Sequence, residues 1–129
     1  MLETDVKSLA QGKNFAAFTT ILPDGQPMTH VMWVDADDDH LLINTELHRQ
    51  KVTNVSRDPR VTVTVIDAAN PYHYAEVRGK VVEIVKGPEA RDHIDKLSLK
   101  YAGQPYDPNA IQSERVILRI VPQRQRAHG

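Results

Sequence analysis

Cysteine is absent from the 129-residue chain, which excludes disulfides, thiolate metal sites and a thiol nucleophile together. Basic residues are not in excess either: 16 Lys and Arg stand against 17 Asp and Glu, a formal net charge of −1. With no basic field to draw in a polyanion, general nucleic-acid binding is not expected. Nor does any window approach the roughly 20 apolar residues of a membrane span. The opening residues, Met1-Leu2-Glu3-Thr4-Asp5, carry neither the basic region nor the apolar run of a secretory signal. The expectation is a cytoplasmic protein that touches neither membrane nor nucleic acid. Metal-site patterns are missing as well. No two of His30, His40, His48, His73, His93 and His128 are four residues apart, and Asp37-Asp38-Asp39 lacks the spaced ligands and glycine of a calcium loop.

What is present is ordinary for a folded chain: 40% hydrophobic and 26% charged residues, enough for one core and one domain spanning residues 1–129. Thr4 or Asp5 can cap a short helix with Val6, Leu9 and Ala10 at helical spacing, ending near Gly12 and placed as a lid over one barrel end. Residues 14–22 are rich in aromatic and β-branched types, and Pro23-Asp24-Gly25-Gln26 makes the turn into a second strand over Pro27–Asp35. Acidic Asp35–Asp39 turns again into a third short strand, Leu41–Ile43. Between Glu46 and Asp58 the pattern predicts a short, mostly solvated helix stopped by Pro59. Residues 60–66 alternate strictly, residues 73–85 form a longer strand with a bulge at Gly79, and Pro88–Tyr101 is a helix with Ala90, Ile94, Leu97 and Tyr101 inward. A sixth strand, Arg115–Val121, closes the list, leaving a polar tail from Gln123 that is mobile unless a partner subunit holds it. Six strands without strand–helix–strand alternation indicate an antiparallel barrel of the α+β class.

The chemistry concentrates in Thr45-Glu46-Leu47-His48-Arg49-Gln50-Lys51-Val52-Thr53-Asn54-Val55-Ser56-Arg57-Asp58-Pro59-Arg60-Val61. Arg49 and Lys51 fall in the first turn of the expected helix, where the positive dipole end and free N–H groups favour an anion. Cations placed there oppose the dipole, a cost that makes sense if both share a bound phosphate. A charged face turned to water accounts for the same residues.

This run, together with Ile21-Leu22-Pro23-Asp24-Gly25-Gln26-Pro27, Val31-Met32-Trp33 and Tyr74-x-Glu76-x-Arg78-Gly79, resembles the pyridoxamine 5'-phosphate oxidase-like (PPOX-class) split-barrel superfamily. More narrowly, the chain is similar to the actinobacterial branch of coenzyme F420-dependent oxidoreductases, the FDOR-B type. The resemblance covers roughly residues 5–122. It implies a six-stranded antiparallel split β-barrel with short flanking helices, a homodimer, and a cofactor in a groove between subunits. Arg49 and Lys51 would hold the cofactor phosphate, with Gln50 beside them and Asn54 supporting that end. Thr29, His30, Val31, Met32 and Trp33, with Asn44 and Thr45, would line the ring and ribityl chain. Tyr74 and Glu76 would face the groove from the other subunit.

The implied reaction is hydride transfer from reduced F420 to an unsaturated acceptor of quinone, tetrapyrrole or enone type. A 5-deazaflavin has carbon at the reactive ring position and behaves as a hydride carrier. No residue then has to act as nucleophile, and His30, Tyr74 or solvent could supply a proton. Two alternatives stand beside this reading: an FMN-dependent relative of pyridoxamine-phosphate oxidase, and a carrier that binds F420 or a flavin without turnover. Trp33 could serve as a cofactor wall or as ordinary core, and Tyr101 and Tyr106 could edge a substrate pocket or pack a helix end.

Overall fold

Along Arg60-Val61-Thr62-Val63-Thr64-Val65-Ile66 every valine is buried and every intervening threonine is half-exposed, the period-two pattern of a strand with one face on a core. In the computed structural model, which describes residues 1–129, this strand (β5, Arg60–Ile66) is an inner strand of one seven-stranded antiparallel sheet. The others are β1 (Phe15–Ile21), β2 (Pro27–Met32), β3 (Asp35–Ala36), β4 (Leu41–Glu46), β6 (Tyr74–Val85) and β7 (Arg115–His128), in the order β2-β1-β5-β6-β7-β4-β3. Three helices, α1 (Thr4–Gln11), α2 (Gln50–Arg57) and α3 (Pro88–Ala102), complete the chain with a 3₁₀ turn at Pro108–Ala110. The sheet curls into an α+β split barrel, open between the β2 edge and the β4 side.

The main core joins Val6, Leu9 and Ala10 of α1 to Phe18, Ile43, Val63, Val77, Leu118 and Ile120 of the strands. Helix α1 therefore does cover the barrel interior, as its spacing predicted. Its N-cap, however, is Glu3 with no side-chain bond. Gly79 sits at a register shift in the β6–β7 ladder, and a Cβ there would lie 2.2 Å from the Val121 carbonyl oxygen, so the bulge requires glycine. Gly103 ends α3 with φ of 76° and donates back to Ser98 and Leu99, a left-handed C-cap.

Four expectations need correction. The strands number seven, because the two-residue β3 forms where an acidic turn was expected. Strand β2 stops at Met32, and β4 continues to Glu46. Helix α2 starts at Gln50, and it buries Lys51, Val52, Asn54 and Val55, so it is not a solvated helix. The C-terminal tail is the second half of β7, paired with β6 out to His128 opposite Tyr74. Gln125 also ties it to the N-terminus, accepting from the Glu3 amide at 2.8 Å and donating to the Met1 carbonyl at 3.0 Å. Polar composition alone suggested mobility there. Ladder hydrogen bonds do not depend on side-chain polarity, so a polar strand on an outer face is as well held as an apolar one.

Candidate cofactor-binding groove

At the split in the barrel lies a groove of about 550 Å³. One wall is the edge strand β2 with Trp33 just after it, and the other is the end of β4. The start of α2, helix α3 and the segment before β7 close the rest.

The two ends of the groove differ in chemistry. At the aromatic end, the Trp33 ring stacks on Tyr101 at 5.0 Å between centroids and 2° between planes, and meets Tyr106 edge-on at 6.3 Å. Tyr101 contacts Phe15 at 5.6 Å. Its hydroxyl accepts from the Val34 amide at 3.1 Å and donates to the Asn14 carbonyl. The tryptophan is thus held by a cluster anchored on both sides, and it is both groove wall and core. Its indole is a rigid, flat surface.

At the polar end three cations converge. Arg49 is the N-cap of α2 and Lys51 its second residue, while Arg115 enters from β7 because the β4–β7 register sets it opposite Glu46. Lys51 is buried, 8% exposed, yet makes no side-chain hydrogen bond or ion pair. Burial, then the nearby charges of Arg49 and Arg115, push its ammonium below the usual lysine range. Arg115 is lowered in the same way, burial first, with Tyr106 and Glu46 pulling weakly in the opposite direction. The single carboxylate among them is Glu46. Its Oε1 accepts from the Gln112 and Ser113 amides at 2.6 and 2.7 Å, and its Oε2 lies 3.7 Å from Arg115 and 3.8 Å from Arg49. Burial raises the Glu46 acid, but the Ser113 and Gln112 amides followed by Arg115 outweigh it and leave it below the ordinary range. Three cations against one carboxylate leave an excess of two positive charges at a helix N-terminus. A buried cation without a partner is costly, and an anion in the groove would remove that cost.

Eight of the residues expected at the site line this groove: His30, Val31, Met32, Trp33, Asn44, Thr45, Arg49 and Lys51. Five do not. Thr29 points to β1, where its hydroxyl pairs with Thr19 at 2.8 Å. Gln50 donates to Asn54 at 2.9 Å, and Asn54, fully buried, donates to Thr20 at 3.0 Å. This pair fastens α2 to β1 and does not face the groove, because the inward side of the helix is where Asn54 falls. Tyr74 stacks on His128 at 4.7 Å and Glu76 bonds Arg78 at 3.0 Å, both on β6 away from the groove of their own chain. Of the two proton-donor candidates only His30 is at the groove. Sequence reasoning did not find Arg115, Glu46 as a groove residue, or Phe15 and Ile94. Arg115 is one arginine at the start of a strand, and only the β4–β7 register gives it meaning.

The fold is shared with known proteins. The family model of pyridoxamine 5'-phosphate oxidase matches residues 2–129. A solved structure described as an F420 reductase is 34% identical, with a TM-score of 0.83 over 98% of each chain. A conserved hypothetical protein from Mycobacterium tuberculosis is 30% identical, with a TM-score of 0.74 over 99% of this chain and 84% of its own. General stress protein 26 from Bacillus anthracis, at 23% identity and a TM-score of 0.72, shares the fold. No curated protein matches in sequence.

Proposed function

Because the chain belongs to the pyridoxamine 5'-phosphate oxidase family, we propose that it is a coenzyme F420-dependent oxidoreductase that passes hydride to an unsaturated small molecule. The observation that carries this reading is the trio Arg49, Lys51 and Arg115 lining one end of the groove, where the single carboxylate is already bonded and approached only by the two arginines, and Lys51 is buried and unpartnered. That donor set fits a phosphate, and the flat wall of Trp33 and the β2 edge fits a ring system at the other end. The 34% identity to a protein described as an F420 reductase supports the deazaflavin over FMN.

When bound, the coenzyme supplies the hydride. The chain's own residues do the rest: Arg49, Lys51 and Arg115 hold the phosphate, Trp33 and Met32 orient the ring, and the aromatic cluster excludes water. His30, exposed at the groove rim, is placed to deliver a proton to the acceptor once hydride has been added. A homodimer that sets Tyr74 and Glu76 of a second copy over the groove completes the proposal, and a cytoplasmic, reducing setting suits it.

Oxidation of reduced F420, followed by the return of its absorbance, tests this against a quinone, a tetrapyrrole and an enone. Saturable oxidation with one acceptor class supports the oxidoreductase. Tight binding with no turnover on any acceptor would mark a carrier, and turnover with reduced FMN alone would move the protein to the FMN-dependent branch. Replacing His30 with Gln should lower turnover more than binding.

A further inference from the structure

Asn44 lies on the groove side of β4 with every polar group of its amide engaged. Its Oδ1 accepts from Arg115 Nε at 2.9 Å, and its Nδ2 donates to the Ala90 carbonyl at 3.0 Å. These two contacts fix the direction of the amide, since a flip would set oxygen against a carbonyl and N–H against a guanidinium. The second Nδ2 hydrogen faces His93 Nδ1, 3.1 Å away. Only an unprotonated Nδ1 can accept it, so the ring proton sits on Nε2, 3.0 Å from Asp35 Oδ2. The His93 and Asp35 side chains are 8% and 6% exposed, and Lys96 donates to the same Asp35 oxygen from the surface at 3.2 Å. A continuous buried line therefore runs from Asp35 through His93 and Asn44 to Arg115.

From this line we infer that His93, held as the Nε2–H tautomer by Asp35, is a positioning residue for the anion seat: it steadies the Asn44 amide that aims the Arg115 guanidinium into the groove. The bond to Asn44 is the only hydrogen bond of the Arg115 side chain within the protein, and its nearest carboxylate, Glu46, is 3.7 Å away. Its terminal nitrogens are thus left for a ligand. Without an acceptor at position 93, the amide can rock about its Ala90 contact, and the guanidinium loses its fixed direction. The consequence for binding rests on the phosphate reading proposed above, whereas the tautomer and the aim of Arg115 do not.

His93→Asn and His93→Leu separate the roles. Asparagine offers an oxygen near the place of Nδ1, leucine offers nothing, and both lose the bond to Asp35. Both variants should therefore melt lower by similar amounts. Titration with coenzyme F420, read by quenching of Trp33, the only tryptophan, should weaken on the order of tenfold in His93→Leu and within about twofold in His93→Asn. Equal loss in the two variants, or none in either, overturns the inference. Nitrogen-15 NMR of the ligand-free protein gives a second readout. The His93 signals should show the proton on Nε2, and the Arg115 Nε–H should be protected in the wild type and in His93→Asn but exchange rapidly in His93→Leu. A proton on Nδ1, or an Arg115 signal indifferent to leucine, overturns it as well. Should wild-type protein bind no F420, the cofactor reading fails while the NMR signals still decide the positioning role. Should the leucine variant not fold, the wild-type tautomer and the Arg115 signal in His93→Asn decide it.

Discussion

The cations on the outer strands and those in the groove are neutralised in different ways. Outside, Arg60 meets Asp58 at 2.7 Å, Arg78 meets Glu76 at 3.0 Å and Arg119 meets Glu83 at 2.6 Å. In the groove, Arg49 and Arg115 approach one Glu46 oxygen no closer than 3.7 Å, and Lys51 approaches no carboxylate. The titration directions follow. The hydrogen bond to Asp58 raises the Arg60 guanidinium, whereas burial first, with neighbouring cations adding to it, lowers Lys51 and Arg115. Exposed pairs of the first kind contribute little. The second kind costs stability in the free protein and is compatible with folding because α2 is fastened elsewhere, through Asn54 and Thr20. A buried cation left unneutralised marks the working region; the cations of the outer strands are paired.

The difference can be broken most strongly at Lys51. Lys51→Ala should weaken binding of a phosphate-bearing cofactor by about 1.5–3 kcal/mol, and Arg49→Ala similarly, the range for charge-assisted bonds. The same Lys51 change should leave the ligand-free protein as stable or more so, by up to about 1 kcal/mol in thermal melting, because a buried unpaired charge is gone.

Asp35 lies behind the groove and is paired as well as any outer carboxylate. Burial pushes its acid up, but His93, the Ala36 amide and Lys96 together bring it from 3.8 down to about 2. A carboxyl depressed in the folded state contributes stability above its unfolded value that is lost as pH falls through the folded one. Melting followed from pH 5 downward should therefore show an acid limb between roughly pH 4 and pH 2 that flattens in Asp35→Asn, with about 1–2 kcal/mol lost at neutral pH.

Glu46→Gln sharpens the contrast in the opposite direction. The amide can still accept from Gln112 and Ser113, while the cations lose their only counter-charge. Anion binding should tighten by about 1 kcal/mol, measured by the same titration, and the free protein should melt lower. The smallest effect is expected outside: Arg60→Ala should leave the melting temperature nearly unchanged and cofactor binding as it was.

Much of the fold was legible because period-two alternation in residues 60–66 and helical spacing in α1 and α3 are local signals with one physical cause, a single buried face. The pair Arg49 and Lys51 was legible through its place at a helix start, and Trp33 as a wall through the family resemblance. What could not be read depended on register. Glu46 and Arg115, far apart in sequence, become opposite neighbours only in the β4–β7 ladder, and nothing near Arg115 in the chain announces it. Asn54 shows the converse: the family resemblance put it at the site, but the inward face of α2 claims it for packing. The tail was misjudged because side-chain polarity carries no information about backbone pairing.

The central claim is that the unneutralised cations of the groove hold a phosphate-bearing deazaflavin. Its most direct test is a titration of wild-type, Lys51→Ala and Arg60→Ala protein with coenzyme F420 and, separately, FMN, read by Trp33 quenching. The account predicts saturable binding that favours F420, falls at least about tenfold in Lys51→Ala and is unchanged in Arg60→Ala. Equal affinity in wild-type and Lys51→Ala protein, or no quenching by either cofactor, would contradict it.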